Sequence, residues 1–209
     1  MSGKIIGLTG TYCAGKNYVA ALLAARGLAV LDVDKLGHQA IIKEKGAIIA
    51  RFGGDVLGDD GEVDRRSLGA KVFGKPGELA ALEAIVHPAA NRLTGQWLAA
   101  QGDRPCVVNA ALLHKSSAFE RLDALILVKA PYLTRLLRAR RRDHLPWAAL
   151  FRRFGSQKDF ISQYNDKKIS GNADIYIIDN RGYLCRSSRL LKGVLERRID
   201  EILAKEGIV

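Results

Sequence analysis

Residues Lys4–Gly27 read "KIIGLTGTYCAGKNYVAALLAARG". An apolar run through Ile5, Ile6 and Leu8 leads into "GTYCAGKN" (Gly10–Asn17), and an Ala- and Leu-rich stretch of helical character follows. The middle segment matches the phosphate-binding pattern G-x-x-x-x-G-K-[ST] at every position but the last. Strand, Gly-rich loop and helix in that order are the context that turns the pattern into a site. Successive backbone N–H groups then face phosphate oxygens, helped by the helix N-terminus. Gly10 and Gly15 allow the tight backbone path. Thr11, Tyr12, Cys13 and Ala14 form the cradle, Lys16 reaches the β- and γ-phosphates of a nucleotide, and Tyr18 follows on the helix. The plainer reading is a Gly-rich turn that precedes a lysine by chance.

Asn17 stands where the pattern has Ser or Thr, whose hydroxyl helps to hold Mg²⁺. An amide carbonyl is also a hard oxygen, one bond farther from the backbone. Mg²⁺ keeps several waters and leans on substrate phosphates. Asn17 is therefore expected to modify a metal site and not to abolish it; an impaired site is the alternative. Cys13 lies in the same loop. A thiol beside a helix N-terminus and a lysine can be acidified and reactive, or it can simply be a small residue that fits.

The rest of the chain suits an ordinary enzyme domain. It has 209 residues, 48% apolar and 26% charged, enough to bury a core as one domain. No segment approaches the roughly 18 consecutive apolar residues of a membrane helix, and the N-terminal residues lack signal-peptide character. A cytoplasmic protein with no membrane partner is expected. Cys13, Cys106 and Cys185 are odd in number and widely spaced, against a disulfide framework or a zinc site. A net charge of +11 calls for an acidic partner. It is concentrated in "RLLRARRRDH" (Arg135–His144) and "FRRFG" (Phe151–Gly155), which as a bare charge run would be a solvated helix face.

Five apolar runs read as strands: Lys4–Gly10, Leu28–Asp34, Pro105–Leu113, Ala124–Ala130 and Asp174–Asn180. Their near-continuous Ile, Val and Leu suit strands buried on both faces of a parallel sheet. Helical segments lie between them, which gives a layered α/β fold. Two connections, about 35–101 and 138–173, are too long for loops and leave the C-terminal ends of strands, where open α/β sheets bind ligands. They are expected to be a substrate-binding subdomain and a lid within a single domain of residues 1–209. The second strand ends "LDVD", and strand alternation would put Asp32 and Asp34 on one side. A carboxylate there could take a proton from a substrate hydroxyl or hold Mg²⁺ through water; it could equally cap the following helix.

At this point the chain resembles the dephospho-coenzyme A kinases. The likeness rests on "GLTGTYCAGKN" (Gly7–Asn17), "DVD" (Asp32–Asp34) and "RFGGDVLGDDGEVDRRSLGAKVFGKPGELAALEAIVHP" (Arg51–Pro88). "TRLLRARRRD" (Thr134–Asp143) resembles the family's arginine-bearing lid helix, and "NADIYIIDNRG" (Asn172–Gly182) its closing segment. The order is right over nearly the whole chain. The chain departs from the family pattern at Asn17, at Ala111 where the family has proline, at Lys115 where an acidic residue is frequent, and in a longer lid. Either Gln157 or Gln163 could take the family's lid glutamine position.

The resemblance implies a three-layer P-loop NTPase fold with a five-stranded parallel sheet, a helical substrate subdomain and a lid. It implies ATP and Mg²⁺ as cofactors and phosphorylation of the ribose 3′-hydroxyl of dephospho-coenzyme A. Asp34 is the expected base, with Lys16, Arg138 and Arg142 assisting the transfer. Thr9, Asp32, His87 and Pro88 are expected at the acceptor substrate, and Asn180 near the adenine. Taken without the resemblance, a His before Pro is more often a helix break. Arg135, Arg138 and Arg142, spaced i, i+3, i+7, share one helix face. No nucleic-acid partner is expected, since base-stacking aromatics are few among the arginines; a monomer or weak homo-oligomer is. The competing readings are another small-metabolite or nucleoside monophosphate kinase, and a nucleotide-responsive binding protein with impaired catalysis.

Overall fold

The computed structural model describes residues 3–155, 160, 164, 173–181 and 188–208, with side chains from 192 onward in the last segment. Gln157, Gln163 and Cys185 lie outside the described residues, as does most of the expected lid after residue 155. The chain divides into two compact units, Met1–Leu31 with Ala100–Val209, and Asp32–Ala99.

The first unit is built on a parallel five-stranded sheet of order β2-β3-β1-β4-β5. The strands are β1 (Ile5–Gly10), β2 (Ala29–Asp32), β3 (Cys106–Asn109), β4 (Ala124–Lys129) and β5 (Asp174–Asp179). The central strands are buried on both faces, as their unbroken apolar runs predict. At the sheet edge β5 alternates instead, leaving Ile175 and Ile177 41% and 46% exposed. Helix α1 (Lys16–Ala24) and the C-terminal helix, Ser188–Lys205, pack Val19, Leu23, Ile199 and Leu203 against Ile6, Val107, Ile126 and Val128. Each such side chain, fully buried, contributes about 1.5–3 kcal/mol.

Asp32–Ala99 is mainly helical: α2 (Val33–Lys43), α3 (Lys45–Phe52), α4 (Arg65–Val72) and most of α5 (Pro76–Gln101). Ile48, Phe52, Leu68, Val72 and Val86 form its core. Two expectations are corrected here. The second strand stops at Asp32, so Asp32 and Asp34 do not alternate along it. Asp32 caps α2, its carboxylate accepting from the Lys35 amide at 3.3 Å, and Asp34 sits in the first helical turn. The capping reading thus holds for Asp32. Nor does Pro88 break its helix: α5 runs through it. An interior proline costs about 3 kcal/mol; the adjoining Val86, Ala89 and Ala90 are buried in this unit's core.

Helices α6 (Tyr132–Asp143) and α7 (Trp147–Gly155) follow β4 in the first unit, and the C-terminal helix is α8. Residue Glu206, just past α8, is 6% exposed. It accepts from Lys4 Nζ at 2.8 Å and from the Tyr176 hydroxyl at 2.6 Å, tying the segment after α8 to the residue before β1 and to β5. Burial and the Glu206 carboxylate push the Tyr176 hydroxyl well above its ordinary pKa. Glu206→Ala leaves both donors without this acceptor and is expected to lower unfolding free energy by about 2 kcal/mol, since hydrogen bonds to charged groups contribute roughly 1.5–3 kcal/mol. Urea unfolding at neutral pH measures it; an unchanged midpoint would mean that water replaces the carboxylate without loss.

Candidate active site

The phosphate loop is the turn from β1 into α1. Thr11 N bonds Val128 O at 3.2 Å, so the loop leaves the sheet still attached to β4, and Ala14 N returns to Thr11 O at 2.9 Å. Two residues are left-handed, Cys13 at φ 59° and Gly15 at φ 94°. Gly15 is the N-cap of α1. Among the described residues, the backbone amides of Cys13, Gly15 and Asn17 have no backbone acceptor. Such amides at a helix N-terminus form a concave donor surface suited to an anion.

The loop is held from outside through one carbonyl. Ala14 O accepts from Asn180 Nδ2 at 2.9 Å and from Arg138 Nη1 at 3.0 Å. Asn180 follows β5, its backbone N bonding Lys129 O at 2.7 Å, and its side chain is buried. Arg138 also donates to Cys13 O at 3.4 Å and Asn180 O at 3.2 Å. Gly15 is required twice over here. Its φ is left-handed, and a Cβ would lie 2.3 Å from Asn180 Nδ2.

The arginine face of α6 does come to the loop, and its members are engaged differently. Arg138 is on the loop carbonyls. Arg142 is exposed, pairs with Asp143 at 2.7 Å and lies over the Tyr12 ring at 5.1 Å. Arg135 stacks over Phe154 at 5.0 Å, and its buried Nε has no hydrogen-bond partner among the described residues; burial lowers its pKa. The Tyr12 hydroxyl donates to Asp143, and Arg153 donates to the Tyr12 oxygen at 3.4 Å. The Arg142 guanidinium holds the Asp143 carboxyl below the usual carboxylate range. Tyr12 and Cys13 pack on Leu136, Ala139, Leu150 and Phe154. Burial pushes the Cys13 thiol up, against Arg142, Arg138 and Arg135, which favours the small-residue reading of Cys13 over the reactive one.

Lys16 opens α1, and Asn17 and Tyr18 are exposed on its first turn. Asn17 Oδ1 accepts from Asn109 Nδ2 at 3.3 Å. Sequence reading missed Asn109; the signal was a polar residue closing the apolar run "CVVN" (Cys106–Asn109). It missed Tyr12–Asp143 as well, which no pattern in the sequence links. Thr9 is fully buried, its hydroxyl on Ala111 O and the Tyr164 hydroxyl, both at 3.3 Å. Asp32, Asp34, His87 and Pro88 belong to the Asp32–Ala99 unit, with Asp34 and Pro88 exposed and His87 half-buried. A hollow in that unit is lined by Asp59, Asp60, Asp64 and Arg65; three carboxylates make it a poor seat for polyphosphate.

Gly15→Ala should abolish nucleotide binding while the protein remains folded. It demands a left-handed alanine, costing about 1–2 kcal/mol, and it displaces Asn180. Calorimetric titration with ADP checks this; binding within a few-fold of the wild type would mean that the loop accommodates another path.

Comparison with known proteins agrees with this geometry. The sequence model of the dephospho-CoA kinase family matches residues 4–184. A dephospho-CoA kinase of Anaeromyxobacter dehalogenans is 39% identical over 196 residues, spanning 86% of this chain and 93% of the relative. One from Geobacter metallireducens is 34% identical over 203 residues, spanning 94% and 98%. Among solved structures, TT1252 from Thermus thermophilus superimposes with a TM-score of 0.77 at 31% identity, covering 98% of both chains. The fold is also that of the Campylobacter jejuni dephospho-CoA kinase, with a TM-score of 0.62 at 21% identity, covering 96% of this chain and 97% of that one. With its phosphate loop, parallel sheet and whole-length match, this chain belongs to the dephospho-CoA kinase family.

Proposed function

We propose that the chain transfers the γ-phosphoryl group of ATP to the ribose 3′-hydroxyl of dephospho-coenzyme A, with Mg²⁺ as the metal, and that its loop residues remain competent despite Asn17. The observation that carries the reading is the loop itself. A degraded site would have no reason to keep Gly15 left-handed against Asn180, with Arg138 on the same carbonyl. Catalysis of this kind is chiefly positioning and charge stabilisation.

The residue roles follow from chemistry. The loop amides and Lys16 bind and orient the β- and γ-phosphates. Asp34 takes the proton of the 3′-hydroxyl as its oxygen bonds to phosphorus, and the bond to the ADP oxygen breaks. Asp32, His87 and Pro88, in the Asp32–Ala99 unit, and Thr9 serve the acceptor substrate, and residues 138–173 act as the lid. Arg138 and Asn180 hold the loop in shape beside the nucleotide. Arg142, exposed and among the described residues paired with its neighbour's carboxylate and the Tyr12 ring, is the arginine best placed to exchange those partners for the transferring phosphoryl group. The donor set fits a hard cation: Asn17 offers a carbonyl oxygen, and Asn109 a second one, buried and with no hydrogen-bond partner among the described residues. Bound there, Mg²⁺ would neutralise charge on the β- and γ-phosphates. A monomer or weak homo-oligomer acting in the cytoplasm on these soluble metabolites completes the reading. No nucleic-acid or membrane partner belongs to it; among the described residues no helix is long and apolar enough to cross a membrane.

A coupled assay of ADP release tests the reaction. Release is expected only with dephospho-coenzyme A present; release driven by a nucleoside monophosphate instead, or none with either, would overturn the assignment. In the same assay Asp34→Asn is expected to lose about 10²–10⁴-fold in kcat, the range for a general base, with ATP affinity kept. Arg142→Ala is expected to lower kcat more than it weakens ATP binding, because its interaction is made late. Arg141→Ala, elsewhere on the helix, is the control. Equal modest losses in the two arginine variants would reduce the cluster to a general positive field.

A further inference from the structure

Tyr12 is a large side chain for its place. A phosphate cradle is made of backbone amides, and a ring of this size is not needed for them. The ring turns instead to the end of α6 and to α7. It stands edge-on to Phe154 at 5.4 Å, its hydroxyl donates to Asp143, and Arg153 Nη1 donates to its oxygen at 3.4 Å. The Arg142 guanidinium lies over its face at 5.1 Å.

Arg142 is thereby held on two sides. Its Nε donates to Asp143 Oδ1 at 2.7 Å and its Nη2 to Oδ2 at 3.2 Å, the two-bond grip of a guanidinium on a carboxylate. The Tyr12 ring is the floor beneath it, and neither of the two bonds uses Nη1. The same carboxylate takes the Tyr12 hydroxyl and pairs with Arg153 at 3.6 Å. Asp143 is therefore fixed from the loop and from α7 while it fixes Arg142. Burial raises the pKa of the Cys13 thiol and the Arg142 charge works against that rise, which sets the guanidinium close to the loop. An exposed arginine without such a dock would sample many rotamers, and ordering it anew would take away part of any contact it then makes.

We infer that Tyr12 is a positioning residue for Arg142: its ring, and the carboxylate that its hydroxyl holds, form a dock that keeps the guanidinium beside the phosphate loop, from where the transferring phosphoryl group takes it over. The inference rests on the phosphoryl-transfer reading of Arg142. It adds the side chain of a loop residue whose backbone alone serves the cradle.

The test is a double-mutant cycle in the coupled assay, with ADP affinity measured separately by calorimetry. Tyr12→Leu removes the ring face and the hydroxyl and keeps an apolar side chain against Phe154. It is expected to lower kcat by about two- to tenfold, the loss for one long side chain that must be ordered anew, with ADP affinity kept. Tyr12→Phe keeps the floor and drops the hydroxyl, and its kcat is expected to fall between the two; it carries the cycle should the leucine variant not fold. In an Arg142→Ala background both substitutions are expected to be silent, because the group they position is gone. On the protein alone, the Arg142 Nε–H resonance, identified by its absence in Arg142→Lys, is expected to be separate and slowly exchanging, and to merge with those of exposed arginines in Tyr12→Leu. A Tyr12→Leu loss that multiplies with that of Arg142→Ala would mean that Tyr12 supports only the fold of the loop, and overturns the inference. So does an unchanged kcat, or an Arg142 resonance indifferent to Tyr12. If the wild type releases no ADP with dephospho-coenzyme A, the kinase reading falls and this one with it. A multiplicative cycle in an active enzyme sinks this inference alone.

Discussion

The Ala14 carbonyl is the point on which the phosphate loop turns. It accepts from Asn180 at the end of β5 and from Arg138 of α6. Those two bonds fix the loop's path, and the path forces Gly15 into a left-handed conformation with no room for a side chain. A phosphate cradle is a set of amides aimed at one place, and its worth depends on their not having to reorganise when the anion arrives. Here the aim comes from β1, β4, β5 and α6 acting on one turn of chain.

The same contacts explain how so many arginines gather without mutual repulsion undoing the fold. Arg138 is neutralised by carbonyl dipoles of the loop it holds, Arg135 by the faces of Tyr132 and Phe154, and Arg142 and Arg153 by Asp143. Arg142 and Arg153 share the Asp143 carboxylate, and a cluster of guanidinium groups at the loop suits substrates rich in phosphate. Asp143 is drawn to low pKa by Arg142, so this arrangement contributes stability above the unfolded carboxylate's pKa. That contribution fades only as pH falls through the lowered value.

Around the loop, groups without charge carry much of the specific geometry. Asn180, Asn109 and Asn17 are all carboxamides, able to donate and accept at once and indifferent to pH in the working range. That choice keeps the shape of the site independent of protonation and leaves its charge to the arginines, Lys16 and the substrates.

Much of this was legible from residue order. The strand-loop-helix grammar of Lys4–Gly27 named the phosphate loop, unbroken Ile, Val and Leu runs named the buried parallel strands, and the arginines on one face of α6 named the side that meets the loop. These are local patterns, set by backbone periodicity and side-chain size, and they survive in one dimension. The edge position of β5, which exposes Ile175 and Ile177, was not legible, because a strand's place in the sheet depends on every other strand. Nor was the passage of α5 through Pro88, since whether a helix continues past a proline depends on what its neighbours pack against, or the end of β2 at Asp32, where a side-chain cap competes with one more strand residue. Asn109 and Asp143 are the sharpest cases. Each meets its partner in the loop, Asn17 or Tyr12, across 92 or 131 residues of chain. Sequence alone determined the loop and the family to which it belongs; only tertiary structure decided what holds the loop, because a hydrogen bond between distant side chains leaves no periodicity behind it.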